Sequence, residues 1–360
     1  MNNQLINTFI ELVQIPSESG HEEQFLLHLS DMFTRRIGAN CLRDAYGNLI
    51  ARIPGRRDRS GAPLLLGMHG DTVSPGTGIK PVVEHGVIRS DGNTILGADD
   101  KAGIAELFEA LNRADRFPPL EVVITREEEC GVQGSRHLDF TLLKAREGYV
   151  LDMDSVDSIV TGGPTKMNLD ITIHGRAAHA GMEPEKGISA IRAAALAIAR
   201  LQDGRIDEVT TSNVGIIHGG ENRNSVAERV SVQAEARSLD HERCVMVAER
   251  MRKTFEEAAA STGAVAEVVV STTYRAVNIP SDARVVKVAE DAIRDAGLTP
   301  RVFAITGGTD ATVYNEHGIQ TAVLGIGARN EHTRSEQIAI ADMEKAVEIL
   351  VMVLRRYAGE

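Results

Sequence analysis

The chain has 360 residues, a formal net charge of -12 at pH 7, 42% hydrophobic and 25% charged residues, and 33 glycines. This balance excludes a disordered or fibrous chain. An acidic surface with no long Lys/Arg cluster also lacks the electrostatic footprint for nucleic acid or an anionic membrane, so neither is expected as a partner. At this length two domains are expected, because single cores stop growing at roughly 250–300 residues.

Leu5, Ile6, Phe9, Ile10 and Val13 recur at helical spacing until Pro16, and a second helix is predicted over 21–32. "NLIARIP", "PLLLGMHGD" and "LEVVIT" read as strands, while "KAGIAELFEALNRA" places Ile104, Leu107, Phe108 and Leu111 on one helical face. The alternation predicts an α/β domain with a mostly parallel sheet flanked by helices. After Thr165 the rhythm changes. "MNLDITIHG", "GISAIRAAALAIARLQ", "TSNVGIIHGG", "RVSVQAEARS", "HERCVMVAERMRKTFEEAAAST" and "AVAEVVVSTTY" give the order βαββαβ, which is ferredoxin-like. The α/β pattern then resumes with a helix over 283–296, a strand at "QTAVLGIG" and a last helix whose stripe is Met343, Ala346, Val347, Leu350 and Leu354. The expected organisation is a discontinuous outer domain, 1–165 and 276–360, interrupted by an inserted domain, 166–275.

Cys41, Cys130 and Cys244 lie far apart with no CxxC, which argues against a disulfide framework and fits a reducing compartment. The opening "MNNQLINTFIELVQIP" has no basic segment followed by a cleavage site, and no apolar run approaches ~18 residues, so a cytoplasmic location is expected.

Five segments collect acids and histidines beside strand ends, where open α/β sheets form ligand sites. They are "MHGDTV" with His69 and Asp71, "LGADDKAG" with Asp99 and Asp100, "TREEECG" with Glu127, Glu128 and Glu129, "VLDMDS" with Asp152 and Asp154, and "NEHTRSE" with His332. Singly each has an ordinary reading: a hydrogen-bonded histidine, a helix N-cap, solvated glutamates, a turn aspartate, a loop residue. Delivered together to one sheet edge, the carboxylates would repel strongly unless cations neutralised them. A mixed imidazole and carboxylate set suits Zn2+, with Co2+ or Mn2+ as substitutes, and two such ions can share a carboxylate and a water, so dimetal hydrolysis is the expected chemistry.

These segments resemble, in order, type and rough spacing over almost the whole chain, the dizinc exopeptidases and deacylases that include peptidase T, glutamate carboxypeptidase, aminoacylase and succinyl-diaminopimelate desuccinylase. "LGADDKAGIAE" with the later "GGTDA" is most similar to peptidase T, the tripeptide aminopeptidase. The resemblance implies a zinc-exopeptidase-like fold with a lid, a short-peptide substrate, and a homodimer formed through the lid domain. It implies that Asp99 bridges two metals, that His69 and Asp152 complete one site, and that Glu129 and His332 complete the other. Asp71 would orient His69, and Glu128 would be the general base for a metal-bridging water. Sliding that assignment by one would choose Glu127 and Glu128; the following Cys130-Gly131 favours Glu128 and Glu129. A cis peptide bond between Asp99 and Asp100 is also implied. In the lid, "GRAAHAG" would supply His179 for the oxyanion, "NRNSVAERV" Asn224 and "EARSLD" Arg237 for the substrate's carbonyl or carboxylate. Gly307, Gly308 and Thr309 of "TGGTDAT" would wall the pocket. Where peptidase T is expected to have an arginine before that segment, this chain has Thr306. An N-acyl-amino-acid amidohydrolase or a carboxypeptidase on the same scaffold is the nearest alternative, and an inactive metal-binding scaffold is a further one, which the retention of both Glu128 and Glu129 argues against.

Overall fold

The computed structural model describes residues 3–58 and 61–359. Contacts divide the chain into two units, Met1–Gly162 with Asn278–Ala304 and Gly308–Glu360, and Gly163–Val277 with Ile305–Gly307.

The first unit is built on a nine-stranded sheet. Its centre is four parallel strands in the order Leu120–Thr125, Leu64–His69, Glu147–Met153, Gln320–Gly325. The strands Leu64–His69 and Leu120–Thr125 are buried at every position, which is why they read as mostly aliphatic runs, Glu121 being buried against the backbone N–H groups of Lys144 and Ala145: a parallel sheet has no solvent face. Antiparallel strands flank this centre: Leu49–Ile53 and then Asn40–Arg43 on one side, Ser158–Gly163 on the other. The register pairs His69 with Thr125, so these two strands end level and hand their following residues to one edge of the sheet. The helix Ala98–Arg113 packs against Asn3–Val13 and Ile340–Tyr357, and buries Ile104, Leu107, Phe108 and Leu111.

A separate four-stranded antiparallel sheet, in the order Ala328–Arg329, Gln337–Ala339, Val87–Ser90, Pro81–Glu84, closes a hairpin loop over 330–336. Its strands are too short to show a period in the sequence. The helix expected from Lys101 is assigned from Ala98, but Asp99 and Asp100 have non-helical dihedrals and the peptide bond between them is cis. The regular helix therefore begins after Asp100, whose carboxylate accepts the backbone N–H of His69 at 3.2 Å, and Gly97 precedes the two acids at φ +73, in the left-handed region glycine tolerates. No helix among the described residues is long and apolar enough to cross a membrane.

The second unit carries five antiparallel strands in the order Gly204–Asp207, Thr210–Gly219, Arg229–Ser238, Thr165–His174, Val265–Tyr274. Without the first of these it is the ferredoxin-like βαββαβ arrangement. Gly204–Asp207 is an addition of four residues, largely exposed, without the alternation that would mark it in the sequence. Met167, Leu169, Ile171 and Ile173 alternate inward from one strand and meet the helices Ala190–Ile198 and His241–Ser261 through Ala193, Ala197, Cys244, Ala248 and Phe255.

Candidate metal centre

His69 ends its strand 2% exposed, and its ring is held at both nitrogens. Nδ1 lies 2.9 Å from the backbone carbonyl of Asp71 and 3.5 Å from its carboxylate. A carbonyl can only accept, so Nδ1 carries a proton and Nε2 is the nitrogen left to bind. Nε2 faces Asp99 Oδ1 at 2.9 Å and Asp152 Oδ1 at 3.8 Å. A bare imidazole nitrogen facing two carboxylates is repulsive unless a proton or a metal cation lies between them.

Asp99 divides its carboxylate between two histidines: Oδ1 faces His69, and Oδ2 lies 3.2 Å from Nε2 of His332. That same His332 nitrogen is 2.9 Å from Glu129 Oε1. His332 sits at φ +60, a left-handed conformation a non-glycine residue seldom adopts, on the hairpin loop that brings it to Asp99. Two donor sets, His69 with Asp99 and Glu129, and His69 with Asp100 and Asp152, each hold their ligand atoms within 4.8 Å of one another.

The acidic segment after Thr125 is fixed by Asp71, which is fully buried. Its carboxylate accepts the backbone N–H of Glu128 at 2.9 Å and of Glu129 at 3.2 Å, and the hydroxyl of Ser19 at 2.7 Å. Glu127 turns the other way, at φ +50, and takes a hydrogen bond from the Tyr46 hydroxyl. Glu22, also fully buried, accepts from the Arg126 guanidinium at 2.8 Å and holds the start of the same segment.

Electrostatically the cluster is short of positive charge. Burial raises the pKa of Glu128 well above the usual carboxylate range, and the charges of Asp310, Glu129 and Asp99 add to it, against the pull of His69. Burial and the charge of Asp99 raise Asp152 likewise. Asp99 is held low, against burial, by hydrogen bonds from His332 and His69. His332 is pushed up to about 10 by its hydrogen bonds to Asp99 and Glu129. Burial works against a charged His69, yet hydrogen bonds to Asp71 and Asp99 carry it well above the ordinary histidine value. Among the described residues no lysine or arginine is ion-paired with Asp99, Glu129 or Asp152; their ion-pair partners are the two histidines. Two imidazole donors among carboxylates, with no lysine or arginine paired to them among the described residues, form a set that suits divalent metal ions.

Asp99, Asp152, Met153, Asp154, Ile326, Glu331 and His332 line a recess of about 210 Å³ beside the cluster. Thr309 is buried directly before the helix Asp310–Glu316, in which Asp310 accepts from the Thr125 hydroxyl at 2.5 Å.

His179, Asn224 and Arg237 belong to the second unit. His179 is exposed, with Nδ1 accepting the backbone N–H groups of Gly181 at 3.2 Å and Met182 at 3.1 Å. The Asn224 carbonyl accepts the N–H of Ala180 at 2.9 Å, so the segments carrying these two residues are zipped together. Arg237 is held against Glu235 by two hydrogen bonds, of 2.7 and 3.2 Å. Gly307 ends the short piece Ile305–Gly307 that returns to this unit. Sequence reasoning missed Ser19, Glu22 and Tyr46, which stand in no recognisable pattern, and Glu336, which closes the segment "NEHTRSE" but was passed over for His332.

A family model described as the M20 peptidase dimerisation domain matches residues 164–263. The chain is 39% identical over 367 residues to the uncharacterized protein YqjE of Bacillus subtilis, covering 98% of both. Among solved structures it resembles the aminopeptidase PepT from Bacillus cereus at 39% identity and a TM-score of 0.88, covering 99% of this chain and 98% of that one. A tripeptidase from Staphylococcus aureus matches at 37% identity and a TM-score of 0.92, with the same coverage. With identities above a third maintained from end to end, and with helices around a mostly parallel sheet that carries an inserted ferredoxin-like domain, the chain belongs to the M20 family of metallopeptidases.

Proposed function

We propose that this metallopeptidase is an aminopeptidase of short peptides, tripeptides above all, working with two divalent metal ions of which zinc suits the donors best. The observation that carries the reading is the Asp99 carboxylate facing His69 with one oxygen and His332 with the other. Asp99 would be shared by both ions, with His69 and Asp152 holding one and Glu129 and His332 the other. Bound there, the ions would polarise the scissile carbonyl and lower the pKa of the attacking water.

Glu128 would act as the general base, taking a proton from the water and returning it to the leaving amine. Its backbone is pinned to Asp71, while its neighbours diverge, Glu129 toward His332 and Glu127 toward Tyr46. Asp71 would keep His69 in the tautomer that leaves Nε2 free. With Nδ1 of His179 used as an acceptor, Nε2 bears its proton and can donate to the developing oxyanion. Asn224 and Arg237 would hold the substrate's carbonyl or carboxylate, the guanidinium binding in two-pronged fashion, and Gly307, Gly308 and Thr309 would line its backbone. The inserted unit would serve as lid and as the surface of a homodimer, and the enzyme would work in the cytoplasm. The names of the two solved relatives, an aminopeptidase and a tripeptidase, favour this substrate class.

Thr306 favours a second reading, because no cation stands there for a tripeptide's C-terminal carboxylate. Mass spectrometry of zinc-loaded protein incubated with a tripeptide of three different residues, free and N-acetylated, separates the two. Release of the first residue from the free peptide alone supports the aminopeptidase. Release of the acetyl group, or of the last residue, would make the protein a deacylase or a carboxypeptidase.

A further inference from the structure

Glu336 is 1% exposed, although the residues just before it, 332–335, are all exposed. Its carboxylate is used in full by four consecutive backbone amides more than 230 positions away. Oε2 accepts from Leu96 at 2.7 Å and Gly97 at 2.8 Å; Oε1 accepts from Ala98 at 2.7 Å and Asp99 at 3.1 Å. Four successive N–H groups converging on one anion need a turn in the backbone, which Gly97 at φ +73 provides. Charge-assisted hydrogen bonds of this kind are about twice as strong as neutral ones, and a buried N–H left without a partner is destabilising.

Glu336 also closes the hairpin loop whose other arm carries His332. Arg329 and Gln337 pair across the base of that loop, and Glu336 precedes Gln337. One side chain thus ties the segment that ends in Asp99 to the loop that presents His332, and the two meet again at 3.2 Å between Asp99 Oδ2 and His332 Nε2. We infer that Glu336, which touches no reacting group, is the positioning residue that sets Asp99 against His332. It thereby fixes the spacing between the donor the two metal ions would share, Asp99, and the histidine that would hold one of them. The inference rests on the dimetal reading above, and its test separates the two.

Co2+ is titrated into the metal-free full-length protein and into Glu336→Gln, following visible absorption and stoichiometry, while amide exchange by mass spectrometry is measured on both without metal. A glutamine offers one acceptor oxygen, and its NH2 would oppose two N–H groups. Co2+ affinity is therefore expected to fall ~10–100-fold, as for other residues that orient metal ligands. Exchange protection at residues 96–99 and 330–336 should fall with it, while the remaining peptides keep theirs. Unchanged affinity and unchanged protection in a folded Glu336→Gln protein would overturn the inference. Should wild-type protein bind no Co2+, the metal reading fails, and the exchange of the two segments alone decides the role of Glu336. Should Glu336→Gln lose protection throughout, Glu336→Asp, which keeps the charge but reaches fewer amides, is measured in its place. Loss confined to the two segments supports the inference, and loss spread over the chain overturns it.

Discussion

Asp71 holds Glu128 by its backbone rather than its side chain: Oδ1 accepts the Glu128 N–H at 2.9 Å, while the Asp71 carbonyl takes Nδ1 of His69 at 2.9 Å. One buried residue therefore sets both the tautomer of a donor histidine and the position of the proposed base. Asp71→Asn keeps the carbonyl but leaves one oxygen to receive what the carboxylate takes from Ser19, Glu128 and Glu129. We expect turnover to fall ~10–100-fold, the range for residues that orient metal ligands, with the far-ultraviolet circular dichroism unchanged. Wild-type kcat in this variant would remove Asp71 from the machinery.

Burial and neighbouring carboxylates raise the pKa of Glu128, as suits a proton acceptor, and in the proposed reading this residue would bind no metal. Glu128→Gln is expected to retain the metal content of the wild type and to lose ~100-fold or more in kcat, with KM little altered. Metal analysis alongside steady-state kinetics tests it. Loss of metal together with activity would instead make Glu128 a ligand.

The fold was largely legible because the long elements announce themselves by pattern: the mostly apolar strands before His69 and at Leu120–Thr125, the alternation of Met167 to Ile173, the stripe of the last helix. The acids and histidines now seen together stood out because each follows such a strand or lies in a loop beside one. What escaped notice is of two kinds. Strands of two to four residues, such as Ala328–Arg329 and Gly204–Asp207, are shorter than the period that would reveal them. The residues that hold the cluster in place, Ser19 to Asp71 across 52 positions and Glu336 to Leu96 across 240, are defined by contacts that no local pattern encodes.

Arg237 is engaged with Glu235, which Lys166 also reaches at 3.0 Å, so its guanidinium is oriented in advance. If it binds the substrate's carboxylate, Arg237→Lys should raise KM for a free tripeptide far more than it lowers kcat, since an ammonium lacks the two-pronged fit. Amidating the peptide's C-terminus should abolish the difference between variant and wild type. Equal loss on both substrates would place Arg237 elsewhere in the reaction.

Lys101 is buried with no carboxylate in contact among the described residues: Nζ donates to the Ile15 carbonyl at 2.7 Å and lies 4.6 Å from the centre of the Phe25 ring. Burial brings this amine down from 10.5 to about 7. Because the folded pKa lies below the unfolded one, the unfolded chain binds more protons between those two values, and stability rises with pH across that window. Lys101→Met removes the amine and fills the space with a similar unbranched chain. Urea unfolding of the metal-free proteins should then show a shallower rise of stability above about pH 7 in the variant, by up to ~1.4 kcal/mol per pH unit. Parallel curves would mean that Lys101 keeps its proton in the folded protein, with the Ile15 carbonyl and the Phe25 ring stabilising the charge against burial.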